Sequence, residues 1–599
     1  MLTPAQLQTL SAAAAAYRSG KPKDALGQLK GLPQVSDVLH LRALALSAMG
    51  EISEAEDTFR KALKGAARPG EILTNHANML ARQDEPAKAA ALYSEAKGKP
   101  GAPANLAVSY AKVLVAADQP EEAARMLAED YAGLASDASA QNVLGTAFKS
   151  AERFSEARQA YDRSIALKPD HAEALINRAH LSQIEGKRDA ANADLTVGVQ
   201  HGRSNLGVVL AAARHLSQDG QTDAAHAAYT HALRLAPQRA DIHAELNRYL
   251  WEIGRRDAFL ESYRQVKDQV SADLRLKLLV EAGSLALRAE DRETTAREFF
   301  AEAASLAPDH PYALVGVAEA AADQDKEVAW SNAVRLAGGH QEVGLGYAWF
   351  LLNRGRAEEA EATLNATDKT GAEQLFFAYD STAARMLGRE RYKTYYDLDR
   401  VTAVRPISPP GRFGSLESFL SAVDEALDPL FQRAAAPVDQ TLFGGQQTAG
   451  SLWETANPVL LELREAMMAV AQSFWDELSV EEGHPLYRTA KRRLGFGGSW
   501  AVRLTSGGGH TDHIHPNGLF SSAHYLRVPS DIGTEEGASA GCLRLGRPNL
   551  ETIDLPAERV IRPEEGTLIL FPSYMWHGVE AFESEKVRVT TPADFVERA

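Results

Sequence analysis

The chain has 599 residues, 45% of them hydrophobic and 24% charged, with a formal net charge of −16 and one cysteine, Cys542. This composition excludes a globally disordered chain, a disulfide framework and any multi-cysteine zinc or iron–sulfur site, and the negative charge argues against a broad nucleic-acid footprint. No uncharged apolar run reaches the ~18–20 residues of a membrane helix and Met1-Leu-Thr-Pro-Ala-Gln6 carries no basic leader, so the expectation is a soluble cytoplasmic protein whose partners include neither nucleic acid nor membrane.

From the N-terminus the first pattern is a repeat. Ala55, Ala89, Ala123, Ala157, Ala191 and Ala225 are each 34 residues apart. Five positions earlier stand Gly50, Asp84, Asp118, Glu152, Gly186 and Gly220, and the next step lands on Gly254. Tyr161 and Tyr229 are two periods apart, as are Pro169 and Pro237. The best-written unit runs from Val143-Leu-Gly-Thr-Ala-Phe148 through Arg153-Phe-Ser-Glu-Ala157 to Ala166-Leu-Lys-Pro169 and resembles the tetratricopeptide repeat, two antiparallel helices per unit. An Ala at the helix crossing lets two backbones approach where a larger side chain would overpack. Glycines suit the interhelical turn, and Pro169 and Pro237 stop the second helix. The register slips by three residues after about 259 and resumes at Ala296 and Pro308, and Gly355-Arg-Ala-Glu-Glu-Ala360 is the last recognisable unit. Nine or ten units thus fill residues 3–370, and the expected role of residues 1–370 is to hold a protein or peptide in a concave groove. Asn75, Asn78, Asn142 and Asn177 are candidates for bonding its backbone, with solvated surface amides as the ordinary alternative.

Residues 371–392 read as a connector, and a second domain is expected over 393–599. Tyr392, Tyr395, Tyr396 and the loop Pro406–Gly414 mark the change. Helical spacing predicts Leu416–Phe431 and Pro458–Leu478. Short strands are predicted at Trp500–Leu504, Ser521–Val528, Gly541–Leu545, Gly566–Phe571 and Val587–Thr591. Helices followed by strands indicate a barrel or sandwich braced by helices.

Four of the 17 histidines stand out in this part. Gly507-Gly-Gly-His510-Thr-Asp512-His513-Ile-His515-Pro516 holds three with an aspartate, and His577 follows the apolar strand Thr567–Phe571. Residues i and i+2 of an extended strand share a face, so His513 and His515 are placed to bind one metal, with His577 as the distant third ligand. Three protein ligands leave positions open for substrate and oxygen, as in non-haem Fe(II) oxygenases. Eleven residues beyond His577, Arg588 offers a planar fork for a dicarboxylate cosubstrate. Tyr525 could donate to the same carboxylate. An exposed strand arginine and barrel packing are the plain alternatives for these two.

Together, Gly498-Ser-Trp500, His510–Gly518, His524-Tyr525-Leu-Arg-Val-Pro529, Gly541-Cys-Leu-Arg-Leu-Gly546 and Phe571–Gly578 with Arg588 resemble the 2-oxoglutarate/Fe(II) dioxygenases of bacteria, often fused to tetratricopeptide repeats. The resemblance covers about 200 residues from near Tyr392, including Gly444–Thr448. It implies a double-stranded β-helix (jelly-roll) fold with supporting helices, and Fe(II), 2-oxoglutarate and dioxygen as cofactor and cosubstrates. Carried over by position, His513, His515 and His577 are the ligands, with Arg588 and Tyr525 holding 2-oxoglutarate. One departure stands out: the superfamily's first pair is usually His-x-Asp, and a literal one occurs here at His510-Thr-Asp512. The position before Pro516-Asn-Gly favours His513/His515, the glycines beside His510 read as a loop, and Asp512 could instead orient a ligand imidazole. An oxygenase hydroxylating a captured protein or peptide is the leading expectation. The alternatives are an oxygenase of small molecules and an adaptor whose jelly roll is silent or holds zinc. A cupin pattern fails, because its glutamate would fall near Leu519 or Phe520.

Overall fold

The computed structural model describes residues 2–130, 132–289, 292–431, 441–448, 450–533 and 539–598. It divides into two compact units, Met1–Val208 and Val209–Ala599.

The Met1–Val208 unit is helical. Its repeats are helix pairs such as Ser36–Ala48 with Ile52–Ala62 and Ala138–Ser150 with Phe154–Leu167. All six in-register alanines, the last in the Val209–Ala599 unit, are 0–1% exposed, as a close helix crossing requires. The turn residues from Gly50 to Gly254 all take positive φ, between 58° and 84°. That is the left-handed region, free for glycine but costly for Asp84, Asp118 and Glu152. At the crossing in the best-written unit, a Cβ on Gly145 would lie 2.6 Å from the ring of Tyr161. The second helices end at Leu167 and Leu235, two residues before their prolines.

Helices continue two by two in the Val209–Ala599 unit as far as Ala357–Asn365. Among the described residues this makes eleven successive pairs up to Asn365, against the nine or ten expected from the ruler. The three-residue slip has a structural form: Leu260 adopts φ 68°, and Asn247 Oδ1 accepts its N–H at 2.5 Å.

Among the described residues the same unit then has eleven strands: β1 (Ala403–Pro406), β2 (Leu442–Gln447), β3 (Leu494–Ser499), β4 (Val502–His513), β5 (Phe520–Arg527), β6 (Leu543–Leu545), β7 (Arg559–Ile561), β8 (Thr567–Pro572), β9 (His577–Val579), β10 (Arg588–Thr590) and β11 (Ala593–Glu597). The ladders are antiparallel. One layer runs β1-β8-β5-β11-β3 and the other β7-β6-β9-β4-β2, with β10 pairing to both β5 and β4. This is a curled sheet of jelly-roll type. The helices Leu416–Leu427 and Pro458–Glu477 brace it, Phe474 and Trp475 meeting Phe520 edge-on.

Two local expectations are corrected. Gly507–Gly509 is no loop but the middle of β4, where Gly507 takes φ 78° and the two glycines after it are crowded by the backbones of β2 and β9. A Cβ on Gly508 would lie 2.3 Å from the Gly444 carbonyl oxygen, and one on Gly509 2.5 Å from that of Val579. The stretch read as a connector, 371–392, contains the helix Glu373–Met386, and Phe377 and Tyr392 pack against the barrel core.

Candidate metal centre

β4 is the strand around which the site is built. Its last residue, His513, lies directly opposite His577, the first residue of β9. Beyond the ladder the chain stays tied to the β8–β9 turn, since the His515 N–H donates to the Ser573 carbonyl at 3.0 Å. One ring nitrogen from each of His513, His515 and His577 therefore falls within 4.8 Å of the others. The ring centroids of His513 and His577 are 4.2 Å apart, and those of His515 and His577 are 5.0 Å apart.

Which nitrogen faces inward is set from behind. His513 Nδ1 is 2.8 Å from the Thr511 carbonyl oxygen, His577 Nδ1 is 3.1 Å from that of Met575, and His515 Nδ1 is 2.5 Å from Asp594 Oδ1. Each oxygen only accepts, so each Nδ1 carries the proton and donates it, leaving the Nε2 lone pair free. When both rings are neutral, His513 Nε2 and His515 Nε2 face each other at 3.2 Å as two lone pairs. Two facing lone pairs repel unless a cation lies between. With metal–nitrogen bonds of about 2.1 Å, nitrogens sharing an ion stand roughly 3.0–3.4 Å apart for right-angle to tetrahedral geometry. The residues present thus fit a metal ion. Burial, with the neighbouring imidazoles adding to it, holds His577 well below the usual histidine range and pushes His513 down to about 4, so both are neutral as ligands must be. Phe571 packs on His577 at 4.6 Å and Trp500 on His515 at 5.7 Å, which limits water at the rings.

Arg588 lines the same cavity as the three histidines. It is 2% exposed and, among the described residues, makes no ion pair. Its polar partner is the Tyr525 hydroxyl, 3.4 Å from Nη2, and its Nε is buried without an acceptor. Tyr525 is fully buried, and burial raises its pKa, which keeps the hydroxyl protonated. A buried guanidinium with no carboxylate is an incomplete anion site. This arrangement fits a carboxylate cosubstrate and departs from the exposed-arginine alternative.

The adjacent residues Asp512 and His513 face opposite sides of β4, past an irregularity in its pairing with β9 between His510 and His513. Asp512 turns away from the cavity, and its Oδ2 accepts from Arg544 Nη2 at 2.9 Å in a buried ion pair. It neither joins the metal-ligating group nor orients an imidazole. Its other oxygen packs on Gly578, where a Cβ would come within 2.5 Å of it. His510 does line the cavity, 6.0 Å from the His513 ring, but lies outside the group of three.

Sequence reading missed Asp594, which also accepts from Ser521 Oγ at 2.8 Å. It arrives from β11, 79 residues from His515, and no spacing rule links them. The four repeat asparagines are engaged with neighbouring helices: Asn177 donates to Asn142 at 2.9 Å, Asn75 Nδ2 is 3.0 Å from His40 Nε2, and Asn78 accepts from the Tyr93 hydroxyl at 2.5 Å. No described helix is long and apolar enough to cross a membrane.

Residues 498–594 match the family described as "Putative 2OG-Fe(II) oxygenase", a span that contains His513, His515, His577, Arg588 and Asp594. Residues 36–64 and 138–171 match the tetratricopeptide repeat. No curated protein matches the chain. Among solved structures, yeast Tom70 is similar at 13% identity over 66% of this chain and 98% of its own, with a TM-score of 0.29. The pilF protein of Pseudomonas aeruginosa is similar at 18% identity over 39% of this chain and 92% of its own, with a TM-score of 0.26. The repeat assignment rests on the family match and on the helix pairs themselves.

Proposed function

We propose that the chain is an Fe(II)- and 2-oxoglutarate-dependent oxygenase that hydroxylates a protein or peptide held by its repeats. The observation that carries this reading is the pairing of three imidazoles, each with Nδ1 tied back and Nε2 turned inward, with a buried arginine that has no carboxylate partner.

His513, His515 and His577 would hold the metal through Nε2, and Arg588 with Tyr525 would hold a carboxylate of 2-oxoglutarate. When bound, Fe(II) with 2-oxoglutarate and dioxygen supplies an oxidising centre that places one oxygen atom on the substrate and releases succinate and carbon dioxide. The chain's own part is orientation. The Thr511 and Met575 carbonyls and the Asp594 carboxylate keep the ring protons on Nδ1. Phe571 and Trp500 keep bulk water from the rings. In this reading residues 1–370 capture the substrate and 393–599 carry the chemistry, and binding remote from the reacting atom lowers the entropic barrier to attack.

Anaerobic Fe(II) with 2-oxoglutarate should give a visible charge-transfer band that disappears in His577→Ala. No band, and no succinate formed in air, would refute the oxygenase reading. The all-imidazole donor set, with Asp512 taken by Arg544, also suits zinc. A purified chain holding stoichiometric zinc and showing no turnover would favour a repeat-based adaptor instead.

A further inference from the structure

The residue before ligand His577 is held by a helix of the last repeat pair and by the helix that follows that pair. Trp576 is buried and stacks on Trp349 of the helix Gln341–Asn353, with centroids 5.2 Å apart and planes 23° apart. Its indole Nε1–H donates to Thr382 Oγ1 at 3.1 Å and faces the Ala378 carbonyl at 3.4 Å, both on the helix Glu373–Met386. Trp349 in turn stacks on Tyr379 of that helix at 4.8 Å. The Trp576 carbonyl accepts the Gly546 N–H at 2.7 Å, while the Gly546 carbonyl accepts from Arg385 Nη1 at 2.7 Å. Arg385 also pairs with Glu558 at 2.8 Å. Asn353, the last residue of its helix, accepts the Glu551 N–H at 2.8 Å and, through its carbonyl, the Thr552 hydroxyl. Two helices thus clasp both Trp576 and the segment 546–558 beside it.

The consequence follows from chain geometry. His577 is one peptide bond from Trp576, and its Nδ1 is set by the Met575 carbonyl on the far side of the same residue. An indole fixed on two sides by stacking and by a hydrogen bond leaves that short stretch little torsional freedom. We propose that Trp349 and Thr382 are positioning residues of the metal centre, acting through Trp576 on His577, so that the end of the repeat array sets the geometry of one ligand. The proposal rests on the metal reading above. Groups behind a ligand that orient it typically alter metal affinity by about 10–100-fold when removed.

The test is a titration of the full, metal-free chain with Co(II), read in its visible d–d absorption. Trp349→Ala should bind at least about tenfold more weakly and with a changed band shape, whereas Trp349→Phe, which restores a stacked ring, should return close to wild type. Thr382→Val keeps the volume but removes the acceptor for the indole, and should show the same changes to a smaller degree. It decides the question if Trp349→Ala fails to fold. Phe59→Leu, a core change in the first unit, should leave the spectrum and affinity alone. Folded Trp349→Ala or Thr382→Val with wild-type affinity and spectrum would overturn the proposal. A wild-type chain that takes up no Co(II) would overturn the metal reading, and this inference with it.

Discussion

Replacing Arg588 by methionine should stabilise the ligand-free protein while abolishing its response to 2-oxoglutarate. The guanidinium is 2% exposed and has as polar partner a neutral hydroxyl at 3.4 Å. Taking a cation out of water costs several kcal/mol when no anion compensates. An apolar side chain of similar length removes that cost, and such exchanges in protein interiors are worth about 1–4 kcal/mol. For a folding unit the size of Val209–Ala599, at about 2.1 cal/mol/K of unfolding entropy per residue, each kcal/mol moves Tm by roughly 1–2 °C. A gain of about 2 kcal/mol therefore raises that unit's melting transition by roughly 2–4 °C. The opposite sign appears with ligand: 2-oxoglutarate at a hundred times its Kd should stabilise the Co(II)-loaded wild type by about 2.7 kcal/mol and the variant not at all. Calorimetry with and without 2-oxoglutarate reads both. If Arg588→Met instead lowers the ligand-free Tm by several degrees, the arginine has a structural counter-charge and the anion-site argument is wrong.

Asp594→Asn should weaken Co(II) binding by about 10–100-fold, because the amide can present its N–H₂ to His515 Nδ1 and release the ring from its tautomer; unchanged affinity would remove Asp594 from the site. Acid should destabilise the barrel before its carboxylates titrate. Burial pushes His524 down to about 3 and His484 to about 4, whereas the unfolded chain takes up these protons near pH 6.5. Folded-state pKa values are depressed, so stability is complete above pH 6.5 and falls below it by about 1.4 kcal/mol per pH unit for each histidine. Urea midpoints between pH 6.5 and 5 should show this slope, and His524→Gln should flatten it; equal slopes would count against the assignment. Glu152→Gly should stabilise the Met1–Val208 unit by about 1 kcal/mol, since φ 58° strains a side-chain residue and suits glycine. A lowered midpoint in circular dichroism melts would mean the turn is held by its side chain.

The parts legible in the sequence were those governed by short-range periodicity. Ala55 to Ala225 and their turn residues repeat because one helix crossing repeats, and each alanine is indeed at 0–1% exposure. His513, His515 and His577 could be grouped because strand alternation and a register of opposite residues act over a few positions. Arg588 and Tyr525 were assigned to one carboxylate from the residues and again through the resemblance, and their hydrogen bond depends on β10 pairing with both β4 and β5. Nothing local marks Asp594, whose partner is 79 residues away. The glycines of β4 misled because glycine signals a turn locally, whereas here it answers the crowding of backbones from β2 and β9. The segment 371–392 looked like a linker since its packing partners, Tyr574 and Trp576 among them, lie some two hundred residues on.

The crowded glycines of β4 also act as a selector between two chemistries. Side chains on a strand alternate, so a slip of a single residue exchanges one face for the other. In β4 that slip would bring Asp512 into the cavity and drive His513 toward Arg544, turning an all-nitrogen site into one with a carboxylate. The chain therefore spells two ligand pairs, His510-Thr-Asp512 and His513-Ile-His515, out of phase with each other. The bulge opposite Gly444, with no room for a Cβ on Gly508, holds the strand in one of the two phases. A backbone contact with no functional group of its own would thus decide the charge presented to a metal bound there.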